Sequence, residues 1–276
     1  MFLDIILNIL VQLFYFIGVI VAVGFIIALL NRLFYKVVNY NRMVCYATGF
    51  LGTPIHELGH ALFCVIFLHK INEIKLFQID ESSGTLGYVN HSYNPKNIYH
   101  LIGNYFIGIA PILCGTVVIY LATRFMLPTT YTEIASYVDT FVTQQGNGLS
   151  WSIFANIFVV LGKMVVSVFS AISQGILWWV YILLVFCISL HMNLSGADIK
   201  GSLKGLPFVV LLIVIPNLIL GFAWASGYRS FVHFMNVAGS FLMSTLLLSL
   251  IFSAITVAIG AIVRGIMQLF GLVKRR

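Results

Sequence analysis

The chain reads as an all-α polytopic membrane protein of about six transmembrane helices, with a short β-hairpin after the second. Three observations predict this. Hydrophobic residues make up 61% of the sequence and charged residues only 8%, against about 25% charged in a soluble globule. Apolar runs of ~20 residues or more, long enough to cross the hydrocarbon core as helices, recur along the chain. Helix is the expected form because lipid offers the backbone no hydrogen bonds. Between the second and third runs, residues 71–91 break this pattern with partial alternation and turn chemistry.

In order, spans are expected at 3–30, 43–69, 98–125, 172–194, 206–226 and 237–270, the last bending near Gly260 or Gly265. Residues 1–276 form one integral membrane domain with no room for a separate soluble one. The opening run is a retained first span: it is too long and too poor in early basic residues for a cleaved signal peptide, and no small-x-small site follows. In Trp151–Ser170, Phe154, Ile157, Phe158, Leu161, Val165, Val168 and Phe169 make an apolar stripe opposite Ser152, Asn156, Lys163, Ser167 and Ser170. That pattern favours an amphipathic or protein-buried helix over a seventh span.

A net charge of +7 raises a nucleic-acid interface, but the 15 Lys and Arg are scattered between spans except at Lys274-Arg275-Arg276. They read as topology and lipid-headgroup determinants, with the bilayer as partner and no nucleic acid. With six spans, nine basic residues fall on the side of the 70–96 loop, the 200–204 loop and the C-terminal tail, and six on the other. The positive-inside bias predicts a multi-pass protein of the cell membrane with both termini and the opening of the site cytoplasmic. Cys45, Cys64, Cys114 and Cys187 lie in apolar segments without C-x-x-C spacing and read as small hydrophobes.

After the second span, Ile71–Asp80 and Gly84–His91 flank the turn-rich Glu81-Ser-Ser-Gly84. This predicts a β-hairpin at the cytoplasmic surface, read either as a connecting loop with strand character or as an edge that pairs with an extended peptide.

The chemistry concentrates in His56-Glu-Leu-Gly-His60, inside the second apolar run. Ionisable groups at such depth cost ~2.5–3.5 kcal/mol each on the lenient insertion scale and demand a reason. On a helix, positions i and i+4 lie ~40° apart, so two imidazoles can hold one divalent ion with Glu57 toward the open side. This is the H-E-x-x-H zinc-hydrolase arrangement. A catalytic zinc needs a third protein ligand. Of eight acidic residues, Asp198 alone lies beside buried helices, where Ser195, Gly196 and Gly201 interrupt two apolar runs as in a cavity-lining broken helix. His191 is its competitor. Cys64 would close the open position and reads as packing, while His69, His91, His100 and His233 read as facing solvent or headgroups.

These residues resemble the site-2 protease family of intramembrane zinc metalloproteases. The resemblance rests on His56-Glu-Leu-Gly-His60, on Gly108-Ile-Ala-Pro111 and on Asn193-Leu-Ser-Gly-Ala-Asp198-Ile-Lys-Gly201, and covers roughly residues 45–201. It implies a catalytic core at 43–201, one zinc ion on His56, His60 and Asp198, Glu57 as the water-activating base, a β-hairpin after the first motif, and a site open to the cytoplasm. Asn104, Pro111 and Asn193 are the candidates for positioning a membrane-anchored protein or peptide substrate. The chain departs from the family in having Cys114 and Gly115 after Pro111 where an Asn is usual, and Ser195 and Gly196 where prolines are usual. A catalytically silent scaffold of the same fold and a metal-binding transporter stand as alternatives. Glu57 argues against transport, since conduction needs ligands and not an adjacent base.

Overall fold

The computed structural model describes residues 2–79, 85–144 and 151–270. Helix α1 (Phe2–Leu13) runs through a π-helical turn (Phe14–Gly18) into α2 (Val19–Val37), followed by α3 (Arg42–Ile66), strands β1 (Lys70–Lys75) and β2 (Tyr88–Ser92), and α4 (Ile98–Met126). Then come α5 (Pro128–Gln144), α6 (Trp151–Ser170), a 3-10 turn (Ala171–Gln174), α7 (Ile176–Leu190), α8 (Gly196–Ala223) and α9 (Ala225–Leu269).

The architecture is all-α and of the membrane-protein kind. Among the described residues, four helical segments are long and apolar enough to cross a membrane: Phe2–Val37, Ile98–Met126, Gly196–Ala223 and Ala225–Leu269. Of the other two expected spans, α3 has the length but is diluted by Thr48, Thr53, His56, Glu57 and His60, and α7 has only 15 residues. The exterior is apolar as acyl chains require, with Phe25 71% and Phe125 75% exposed.

Side-chain caps start the helices that build the site. The Asn41 and Asn97 side chains accept from the backbone N–H of Met43 and Tyr99, each at 2.9 Å, which satisfies N-terminal donors that the helix itself cannot. Two boundaries differ from expectation. Helix α8 begins at Gly196, so Asp198 lies in its first turn and not in a loop, because Ser195 supplies the N-cap. Helix α9 starts directly after Trp224 and runs unbroken for 45 residues, so the expected connection around His233 is helical. Ser230 there hydrogen-bonds to the Ser226 carbonyl and so turns its polar group inward along the helix.

Helix α4 is the hub, packed against α3, α8, α7, α9 and α5. Its approach to α8 is close because Gly108 has no side chain: a Cβ there would meet Ser202 Oγ and the Asp198 carbonyl. Small residues at such a crossing let two backbones meet in a membrane helix pair. Polar ties specify the outer pairings. Gln12 and Asn217, both fully buried, exchange amide hydrogen bonds between α1 and α8, and Arg264 of α9 donates to the Lys36 and Val37 carbonyls at the end of α2.

The hairpin is antiparallel, pairing Lys70 with Ser92 and Lys75 with Tyr88, with a bulge between Ile71 and Glu73. Its turn at Glu81–Gly84 falls outside the described residues. The hairpin folds back along α3: Phe77 meets Phe50 edge-on at 5.8 Å, Leu86 fills the space beside Gly49, and Gly87 lies against Thr53 and Glu57. Apolar Phe77 and Leu86 find partners on α3 that a loop on the surface would leave wet.

Candidate metal centre

Helix α3 points His56 and His60 to one side, as i, i+4 spacing requires, with their Nε2 atoms 3.2 Å apart. Each ring is held by its other nitrogen. His56 Nδ1 donates to the His191 carbonyl at 2.7 Å, and His60 Nδ1 donates to the Ile107 carbonyl at 2.7 Å. A carbonyl can only accept, so both neutral imidazoles carry their proton on Nδ1 and leave a bare lone pair on Nε2. This outer support is what metal-ligating histidines need to fix tautomer and orientation.

Both carbonyls are free for a reason written in the sequence. Ile107 lies four residues before Pro111, inside α4; proline has no N–H, so the helical bond to Ile107 is never made. His191 is the C-cap of α7, where carbonyls lack intrahelical donors. Two orphan acceptors from two helices thus orient the two imidazoles of a third.

Asp198 completes the cluster. Its Oδ1 lies 3.3 Å from His60 Nε2, and its Oδ2 accepts from the Ser195 backbone N–H at 2.6 Å, while its own N–H donates to Ser195 Oγ at 3.2 Å. This reciprocal capping box leaves one carboxylate oxygen for the histidines. Among the described residues, His56, His60 and Asp198 are the group of three whose ligand atoms all lie within 4.8 Å of one another. Spacings of 3.2 and 3.3 Å match the edge of a tetrahedron with bonds of ~2.0–2.1 Å, and two neutral imidazoles with one carboxylate is a zinc donor set that leaves a position open. The residues fit the ion.

Glu57, one residue beyond His56, is 5% exposed and is roofed by the hairpin at Gly87, where a Cβ would come within 2.8 Å of Glu57 Cγ. The remaining sequence candidates separate. Asn104, on α4 one turn before Gly108, is buried with its Nδ2 unpartnered. Asn193 Oδ1 is taken by Asn31 Nδ2 at 3.0 Å, and Pro111 acts on Ile107. His191 offers the metal no side-chain nitrogen: Nε2 and Nδ1 face Thr48 Oγ1 at 3.1 Å and Thr53 Oγ1 at 3.3 Å.

Sequence reasoning missed three supporting side chains. Asn31, fully buried in α2, donates to the Ser189 and Leu190 carbonyls as well as to Asn193, and so pins the α7–α8 connection that carries the His191 carbonyl. Thr48 and Thr53 hold the His191 ring. An Asn in an apolar run was the visible signal for Asn31; nothing in the sequence marked the threonines.

His69, His91 and His100, expected at an interface with solvent, meet one another. His69 is 5% exposed, its Nδ1 lies 3.1 Å from His91 Nδ1, and its Nε2 donates to the His100 carbonyl at 3.0 Å. Burial pushes the pKa of His91 below the ordinary histidine value, to about 4, so it favours the neutral form. Compared with protein-family models, with curated proteins and with solved structures, the chain matches none.

Proposed function

We propose that this protein is an intramembrane zinc metalloprotease of the site-2 protease type, hydrolysing a peptide bond in a membrane-anchored protein or peptide. The reading is supported by one observation above all: two tautomer-locked imidazoles and a capped carboxylate converge, and a further carboxylate, Glu57, sits next to the first ligand without joining the cluster. A purely structural or transported ion has no use for that base.

His56, His60 and Asp198 would hold one zinc ion, which when bound supplies Lewis-acid polarisation of a carbonyl and lowers the pKa of a water toward ~7. Glu57 accepts the proton of the attacking water at its carboxylate, the water oxygen bonds to the scissile carbon, the C–N bond breaks, and Glu57 returns the proton to the leaving amine. A helical substrate shields its carbonyls, so the cleaved segment must be unwound. Strands β1 and β2 pair only with each other among the described residues, and their outer edges offer backbone partners to an extended segment. The unpartnered Asn104 amide supports a role as donor to a substrate carbonyl. The reading carries six crossings, α3 and α7 among them, with both termini and the site opening toward the cytoplasm; the nine-to-six distribution of basic residues supports that orientation.

The test is Glu57→Gln in cells and in purified protein. The amide neither takes nor returns the proton, so cleavage should fall by ~10²–10⁴-fold while zinc and substrate still bind. Equal fragment yields from Glu57→Gln and wild type would hand the site to a silent scaffold or a transporter.

A further inference from the structure

We propose that His69 and His91 form a second binding site for a d-block divalent cation, zinc or copper(II), clamped between the end of α3 and strand β2. These two histidine pairs share one spacing. In the centre already described, the ring nitrogens are 3.2 Å apart and the ring centroids 4.9 Å; at His69 and His91 they are 3.1 Å and 5.1 Å. Two nitrogens ~2.0–2.1 Å from a common ion stand at this separation when the angle between them is ~100°.

Tautomers point the same way. His69 must carry its proton on Nε2, because that nitrogen donates to the His100 carbonyl. Its Nδ1 is therefore a bare lone pair, buried, with His91 Nδ1 facing it. His100 is not a ligand at Nδ1, which accepts the Asn94 backbone N–H at 3.0 Å; it contributes the carbonyl that sets the ring of His69, and Tyr93 stacks on that ring at a centroid distance of 5.0 Å. The arrangement repeats the support that His191 and Ile107 give to His56 and His60. Imidazole nitrogens select zinc, copper and nickel over magnesium or calcium. His91 is only half-buried, so water or an anion can complete the shell, and two protein ligands bind more weakly than three. An ion there ties β2 to the end of α3, and β2 follows directly on Gly87, the residue that roofs Glu57.

The full-length protein in detergent tests this by metal count, independently of any proteolysis. With one equivalent of zinc already bound, a second titration with zinc or copper(II) should find a weaker site, and copper(II) should show nitrogen hyperfine coupling from two imidazoles. The weaker site should persist in H56A/H60A and lose affinity by at least ~10-fold on adding either His91→Gln or His69→Gln. The proposal is overturned if no second equivalent binds to the zinc-loaded wild type, or if it binds equally in both glutamine variants. The pair is then an N–H···N hydrogen bond between neutral rings.

Discussion

Pro111 orients His60 through the backbone carbonyl of Ile107. By lacking an N–H, it leaves the Ile107 carbonyl, one helical turn earlier, free to accept His60 Nδ1 at 2.7 Å. The resemblance assigns Pro111 to substrate positioning; its structural effect is on His60, a residue of the candidate metal centre.

Pro111→Ala restores an N–H that competes for the Ile107 carbonyl. Zinc affinity should fall by ~10–100-fold, the usual cost of losing an outer-shell partner, even though α4 gains helix propensity. Competitive chelation against wild type measures it. Unchanged affinity would mean that the carbonyl serves both donors and that the proline is there for packing.

Asp198 has two roles that substitution can separate. Asp198→Asn keeps a polar side chain at the third position of α8 but removes the anionic ligand, so zinc binding should drop by more than the ~10–100-fold of a supporting residue. Ser195→Ala removes the cap and keeps the ligand; stability should fall by ~1 kcal/mol with the zinc stoichiometry retained. Thermal unfolding and metal analysis of the two variants should give opposite rankings.

Gly87 is where the hairpin presses on Glu57, the proposed base. In Gly87→Val the new side chain must displace Glu57, Thr53 or the hairpin, since a Cβ already lies 2.8 Å from the first two and 2.9 Å from the Lys75 carbonyl. A shift of ~1 Å in a catalytic group can cost ~10²-fold in rate. Turnover should fall to that extent while one zinc remains bound, a combination that ligand variants cannot produce.

Asn31→Ala removes three hydrogen bonds to the 189–193 segment. Leaving buried acceptors unpaired costs ~1–3 kcal/mol, and the loosened His191 carbonyl should weaken zinc binding. Asn31→Asp cannot donate and should fail equally, whereas Asn31→Gln should recover part of the affinity. Recovery of zinc affinity, measured beside thermal stability, distinguishes positioning of His56 from general destabilisation.

Composition and local spacing determined the class of this protein. Apolar runs of ~20 residues in a chain that is 61% hydrophobic select membrane helices, and His56 and His60 share a face on any helix, because both statements depend only on covalent geometry and the solvent. The hairpin was legible from its turn chemistry, and Asp198 by elimination among so few carboxylates. Tertiary structure alone decided the rest. That Asp198 reaches His60 depends on how closely α4 and α8 approach at Gly108. That His191 supplies a carbonyl and not its ring depends on Thr48 and Thr53 across the α3–α7 contact. That the hairpin lies on Glu57 and that His69 meets His91 depend on contacts 22 or more residues apart in the chain. Such contacts are set by the packing of whole helices, which no local period encodes.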